Sequence, residues 1–177
     1  MKDHILVKLD STTELLQYFT GSVNTTATTK KYASTGIGSG LTAGEKVVIA
    51  GFSNADSNGT KTLATVAANE ITVEEAIGAN ETGITATVNQ EWQGEWKEVN
   101  QFSHLLPTIN CSGNAYLYVD FSADGVNTDY TNTGTITAAT ADMGSIEVGL
   151  PYARLRVRTN AADQTTMRAY LFGRRLT

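Results

Sequence analysis

Pro151-Tyr152-Ala153-Arg154-Leu155-Arg156-Val157-Arg158-Thr159-Asn160 decides how this chain is read. Ala153, Leu155 and Val157 alternate with Arg154, Arg156 and Arg158, so the two sets point to opposite faces of an extended segment. Alternation this regular predicts a half-buried β-strand. Its apolar row needs a second sheet to cover it. Its arginine row, three of the six arginines in the chain, is left facing water or a partner.

The flanking sequence keeps the same rhythm. Ala115-Tyr116-Leu117-Tyr118-Val119-Asp120-Phe121 predicts a strand with Leu117, Val119 and Phe121 on one face and Tyr116, Tyr118 and Asp120 on the other. Ala123-Asp124-Gly125 closes it with a turn. His104–Asn110 reads as a strand that Pro107 keeps at an edge or bulge. Residues 135–137 and 145–148 are weaker strands, 159–163 a turn, and 164–172 the last strand. Seven or so strands without a helix predict a two-sheet sandwich of jelly-roll type over residues 91–177.

Upstream, Lys46–Phe52, Thr60–Val66, Glu70–Glu74 and Gly83–Val88 are short strands separated by polar turns, Asn58-Gly59 among them. With an extended Thr-rich segment in 23–34 they predict a small antiparallel β-barrel or sandwich over residues 23–90. Gly36-Ile37-Gly38-Ser39-Gly40 superficially suggests a phosphate-cradling loop. A strand follows it rather than a helix, and its glycines read as turn formers. Trp92 and Trp96 mark the boundary between the two domains. Residues 1–22 form an N-terminal arm, with a strand at His4–Leu9. Ser11 and Glu14 carry a capping-box spacing that predicts one helical turn to Tyr18. This arm must dock on its own body or on a neighbour.

Composition agrees with an all-β chain: 41% hydrophobic and only 18% charged, with Thr, Asn, Gly and Ser filling the difference. No apolar run approaches the roughly 18 to 20 residues that span a membrane, and the first residues lack a signal-peptide pattern. The net charge of −5 points away from general nucleic-acid binding. Charge is nevertheless segregated. All seven lysines lie at or before Lys97 and all six arginines at or after Arg154, where Asp163 is the sole acid before Arg175. Cys111 is alone and reads as a small buried hydrophobe.

Two stretches carry a resemblance. Gly40–Phe52, Asn58–Val66 and Glu70–Val73 together resemble a small β module of bacteriophage structural proteins. Leu117–Gly125, ending Ser122-Ala123-Asp124-Gly125, and the later Tyr152-Ala153-Arg154-Leu155-Arg156-Val157 strand ending Thr159-Asn160 resemble the jelly-roll domains of tailed-phage virion proteins. The resemblance implies a virion structural protein assembled in the host cytoplasm. Its most concrete form is a capsid decoration or cement protein bound across capsid subunits. A tail, collar or fibre component is the sister reading. The implied partners are the major capsid protein or other virion proteins, and copies of the chain itself, a trimer included. No cofactor, metal ligand or catalytic residue carries over.

The chemistry-bearing residues have structural readings. His4 and His104 are a hundred residues apart, with no spacing that suggests a metal site. Asp120, Asp124 and Asp129 lack the calcium-loop pattern. Glu91, Glu95 and Glu98 read as a solvated face, and Ser112 and Ser122 lack a partner histidine or a nucleophile elbow. An enzyme is therefore not expected. Arg154, Arg156 and Arg158, with Ile5, Leu6, Leu15 and Leu16 of the arm, are the candidate interface. A carbohydrate-binding module is the alternative from another class, with Tyr116, Tyr118, Tyr130, Tyr152, Trp92 and Trp96 as the stacking platform.

Overall fold

The computed structural model describes residues 4–176, and the side chains of residues 4, 5, 139–142 and 176 lie outside that description. In chain order the strands are β1 (His4–Thr12), β2 (Tyr18–Thr26), β3 (Lys31–Ala33), β4 (Lys46–Ala50), β5 (Gly59–Ala67), β6 (Glu70–Val73) and β7 (Ile84–Gln93). They continue as β8 (Lys97–Glu98), β9 (His104–Cys111), β10 (Ala115–Ser122), β11 (Tyr130–Ile136), β12 (Ala139–Asp142), β13 (Ile146–Glu147), β14 (Tyr152–Thr159) and β15 (Met167–Leu176). The fold is all-β. The chain forms two compact units, one of Leu16–Glu91 with Thr159–Asp163, the other of the chain up to Leu15, Trp92–Arg158 and the chain from Gln164. The expected arm is therefore divided between them: β1 is a strand of the second unit, and β2 belongs to the first.

The first unit is a closed barrel. β2 pairs with β3, β3 with β6, β6 with β5, β5 with β4, β4 with β7, and β7 returns to β2, every pair antiparallel. Closure leaves no free sheet edge, which is how a small all-β unit avoids edge-to-edge association. Alternation fills the interior: Val47 and Ile49, Leu63, Ile71 and Val73, and Ala86 and Val88 gather around Tyr32. The Tyr32 hydroxyl donates to the Ser57 carbonyl at 2.8 Å, so the polar end of a buried ring is satisfied. Asn58-Gly59 does not make a two-residue hairpin. Instead the Asn58 side chain bonds the N–H and carbonyl of Phe52 and the carbonyl of Asn54, tying a longer loop. In the glycine-rich segment, a Cβ on Gly38 would lie 2.0 Å from the Ala67 carbonyl oxygen. There the glycine serves close backbone packing, and the fully covered Ile37 beside it joins the core.

The second unit is a β-sandwich. One sheet runs β1-β15-β9-β12, with β13 also on β9; in the other, β10 lies between β11 and β14, and β8 pairs with β14. Leu105, Ile109, Met167, Ala169 and Leu171 from the first sheet, and Leu117, Val119, Phe121, Ala153, Leu155 and Val157 from the second, are all buried. The burial alternation expected across Tyr152–Thr159 is present without exception. Pro107 is not on an edge strand. β9 has neighbours on both sides, and Pro107 lies opposite the interval between β12 and β13, where its carbonyl accepts from Met143 N–H. Its missing N–H would have pointed into the same interval, so no ladder bond is lost.

The helical turn expected after Ser11 does not form. Ser11 and Thr12 are paired with Tyr170 and Ala169 in β1. Their capping-type groups act on extended chain instead: Ser11 N–H donates to Asp10 Oδ1 at 2.9 Å and Glu14 N–H to Thr12 Oγ1 at 3.1 Å. The strand pairing outweighs a nucleus of one turn, which is unfavourable alone.

Leu155→Asp should cost about 3 kcal/mol or more, because it strands a charge in the sandwich core. Leu6→Asp, on an exposed position of β1, should change stability by less than about 0.5 kcal/mol. Urea unfolding measures both, and equal losses would contradict this assignment of faces.

Candidate functional site

The arginine row of β14 folds down onto the neighbouring strand of its own sheet. Tyr116, Tyr118 and Asp120 of β10 alternate with the core residues Leu117, Val119 and Phe121, so they occupy the face on which the arginines lie. Arg154 and Arg156 both reach Asp120. Arg156 binds it with two prongs, Nε to Oδ2 at 3.0 Å and Nη2 to Oδ1 at 3.0 Å. Arg154 Nε donates to Oδ2 at 3.1 Å, and its Nη2 donates to Thr128 Oγ1 at 3.1 Å. Thr131 Oγ1 adds a bond to Asp120 Oδ1 at 2.8 Å. The carboxylate side chain is only 1% exposed, against 18% and 20% for its two arginines.

Aromatic rings complete the row. The Arg154 guanidinium lies 4.2 Å from the Trp96 ring centroid, and Arg156 lies 4.1 Å from that of Tyr118. Arg158 lies 4.7 Å from Tyr116 and 5.5 Å from Tyr118. Planar guanidinium groups suit both tasks, forking onto a carboxylate and stacking on a ring. The three arginines are thus unequal. Arg154 and Arg156 are anchored by a buried charge, whereas Arg158 is held by stacking and makes no hydrogen bond or ion pair among the described residues.

Electrostatics follow from this geometry. Burial pushes the Asp120 carboxyl up, but the hydrogen bond and charge of Arg156, with Thr131 and Arg154, outweigh it and hold the group below its ordinary value of 3.8. Asp10 is the opposite case. Burial raises it above the usual carboxylate value against the hydrogen bond from Ser11, and its Oδ2 has no hydrogen-bond partner among the described residues.

The remaining candidates are spread out and structurally engaged. Leu6 and Leu15 are 58% and 47% exposed, Leu16 is fully buried and offers no surface, and the Ile5 side chain lies outside the described residues. Trp96, Tyr116 and Tyr118 of the aromatic set considered for a sugar each carry an arginine over the ring. Asp124 accepts from the N–H groups of Val126 and Asn127 and from Ser122 Oγ, so it forms a turn. Asp129 holds the Ala123 N–H and Ser112 the N–H groups of Thr165 and Thr166. His104 Nδ1 pairs with Ser103 Oγ at 3.0 Å, and Cys111 is buried. Glu95 pairs with Lys97 and Glu98 with Asn100. Among the described residues, no group of three or more His, Cys, Asp or Glu side chains gathers as a metal ion would require.

Sequence reading did not identify Asp120 as the hub. The usable signal was a matched pair of period-2 rows, Tyr116-x-Tyr118-x-Asp120 and Arg154-x-Arg156-x-Arg158, whose interaction depends on β10 and β14 becoming neighbours.

Asp120→Ala should cost about 3–5 kcal/mol in urea unfolding, because it leaves two guanidinium groups without their acceptor, and Arg158→Ala less than about 1 kcal/mol. Comparable losses would contradict the unequal roles. Asp120 is more acidic folded than unfolded, so its stabilisation is complete above the unfolded value near 3.9 and is lost as pH falls through the lower folded value. Asp120→Asn should therefore show a shallower loss of stability below about pH 4 than the unsubstituted protein.

No protein-family model matches this chain, and no curated protein is significantly similar to it.

Proposed function

We propose that this chain is a structural protein of a tailed-bacteriophage particle, working as a capsid decoration or cement protein. On this reading it acts by burying surface against capsid subunits and performs no covalent chemistry. The observation that carries the reading is β1. This nine-residue strand, His4–Thr12, pairs with β15 on one side and has no strand on its other side among the described residues. Leu6 and Val7 point to opposite faces of it and remain 58% and 36% exposed. A long edge strand with exposed apolar side chains offers main-chain hydrogen bonds and hydrophobic contacts to a strand from another subunit. The resemblance of Tyr152–Asn160 and Leu117–Gly125 to phage jelly-roll phrases supplies the particle.

A subordinate contact falls to Arg158, whose guanidinium is oriented by Tyr116 and Tyr118 and can still donate a fork of hydrogen bonds to a carboxylate. A stable contact needs about 1,000 Å² or more, so β1 and its surroundings would carry most of it. A tail, collar or fibre position would use the same edge against a different subunit.

The test is co-sedimentation with undecorated heads over a salt series. Leu6→Glu/Val7→Glu should fold normally and lose binding at every salt concentration. Arg158→Ala should weaken binding mainly at low salt, since exposed charges are screened beyond about 8 Å at physiological ionic strength. Full occupancy by the β1 double variant would contradict the reading.

A further inference from the structure

The outer face of the β1-β15-β9-β12 sheet carries a second period-2 row. Arg168, Tyr170 and Phe172 of β15 alternate with the buried Met167, Ala169 and Leu171. Cross-strand register places Arg168 opposite Asn110, Tyr170 opposite Thr108 and Phe172 opposite Leu106 on β9, so these pairs share that face. The Tyr170 and Phe172 rings are stacked, with centroids 5.9 Å apart and planes 26° apart. Phe172 therefore backs one face of Tyr170. Beside Tyr170 lies a shallow depression of about 210 Å³ lined by Thr108, Ile109, Asn110, Arg168 and Tyr170.

Among the described residues, nothing occupies the polar groups around this depression. The Thr108 hydroxyl, Asn110 amide, Arg168 guanidinium and Tyr170 hydroxyl make no hydrogen bond or ion pair among the described residues. Arg154 and Arg156 on the other sheet, by contrast, are tied to a buried carboxylate. A half-buried aromatic ring beside an amide, a hydroxyl and a guanidinium fork without an acceptor among the described residues is a donor set with a specific match. It fits a ring with an apolar C–H face, hydroxyls at its rim and a carboxylate. A nucleic-acid strand would also stack, but it needs a basic track to neutralise successive phosphates, and Arg168 is the one cation lining this depression among the described residues.

We propose that this face binds an acidic polysaccharide, one uronic-acid ring lying on Tyr170 with its carboxylate on Arg168 and its hydroxyls on Asn110 and Thr108. The site is independent of β1 edge pairing and does not rest on the virion reading.

Affinity electrophoresis in native gels containing polygalacturonate or alginate tests it. Parallel gels hold dextran or a neutral galactan, and a single-stranded oligonucleotide shift is run alongside. The protein is itself acidic, so bulk ion exchange would not retard it in a polyanion gel. Retardation is expected in at least one polyuronate gel, weakened about tenfold or more, the equivalent of about 1.4 kcal/mol, by Arg168→Ala and by Tyr170→Ala. Tyr170→Phe should retain most of it, which separates loss of the ring from loss of fold, and Arg158→Ala should leave it unchanged. Four results would overturn the proposal: no retardation by either polyuronate, equal retardation by the neutral polymers, retardation indifferent to Arg168 and Tyr170, or tighter binding of the oligonucleotide.

Discussion

A carboxylate with almost no access to water holds the outer face of the β10–β14 sheet together. Asp120 sits on a strand whose opposite face is the sandwich core, so from Leu117 to Ser122 β10 is buried on both sides. A buried charge is costly unless opposite charge and hydrogen bonds meet it. Here Arg156 grips it with two prongs, Arg154 with one, and Thr131 supplies a further bond. The consequence reaches beyond the ion pair. Once the two guanidinium groups are drawn onto Asp120, their flat faces lie over Trp96 and Tyr118, and what the alternation suggested was an open cationic face becomes an outer layer of packing.

The two units treat their sheet edges differently. The barrel closes on itself through β7, which pairs with both β2 and β4. The sandwich keeps β1 at an edge, with a register shift between Lys8 and Asp10 where it pairs with β15. That irregularity interrupts the edge without covering Leu6 and Val7. The proposed subunit contact belongs to this strand more than to the arginine row.

Much of the fold was legible because antiparallel strands with one buried face write their burial into the sequence at period 2. β14, β10, β4 and β6 were readable for that reason, as were the polar turns around Asp124-Gly125 and the glycine-rich segment. β12 was not, because Ala139-Thr140-Ala141-Asp142 has no large apolar residue to mark a face. The Ser11–Glu14 spacing misled for a tertiary reason: pairing with β15 decided the backbone, and local capping preference lost. Pro107 was placed at an edge or bulge because sequence cannot show that two short strands share one side of β9 and leave an interval opposite the proline. The arginine row was located correctly, but its state was not visible, since Asp120 lies 34 residues from Arg154 and only sheet order brings them together. The same limit hid the Arg168–Tyr170–Phe172 row, whose partners Thr108 and Leu106 come from a distant strand.

Amide hydrogen exchange on the protein free and bound to undecorated heads tests the account most directly. Edge pairing predicts that amides of β1 gain strong protection on binding, while those of β10 and β14, already ordered around Asp120, change little. Protection concentrated on β10 and β14 with β1 unchanged would contradict it, as would the absence of any protection because the chain does not bind the particle.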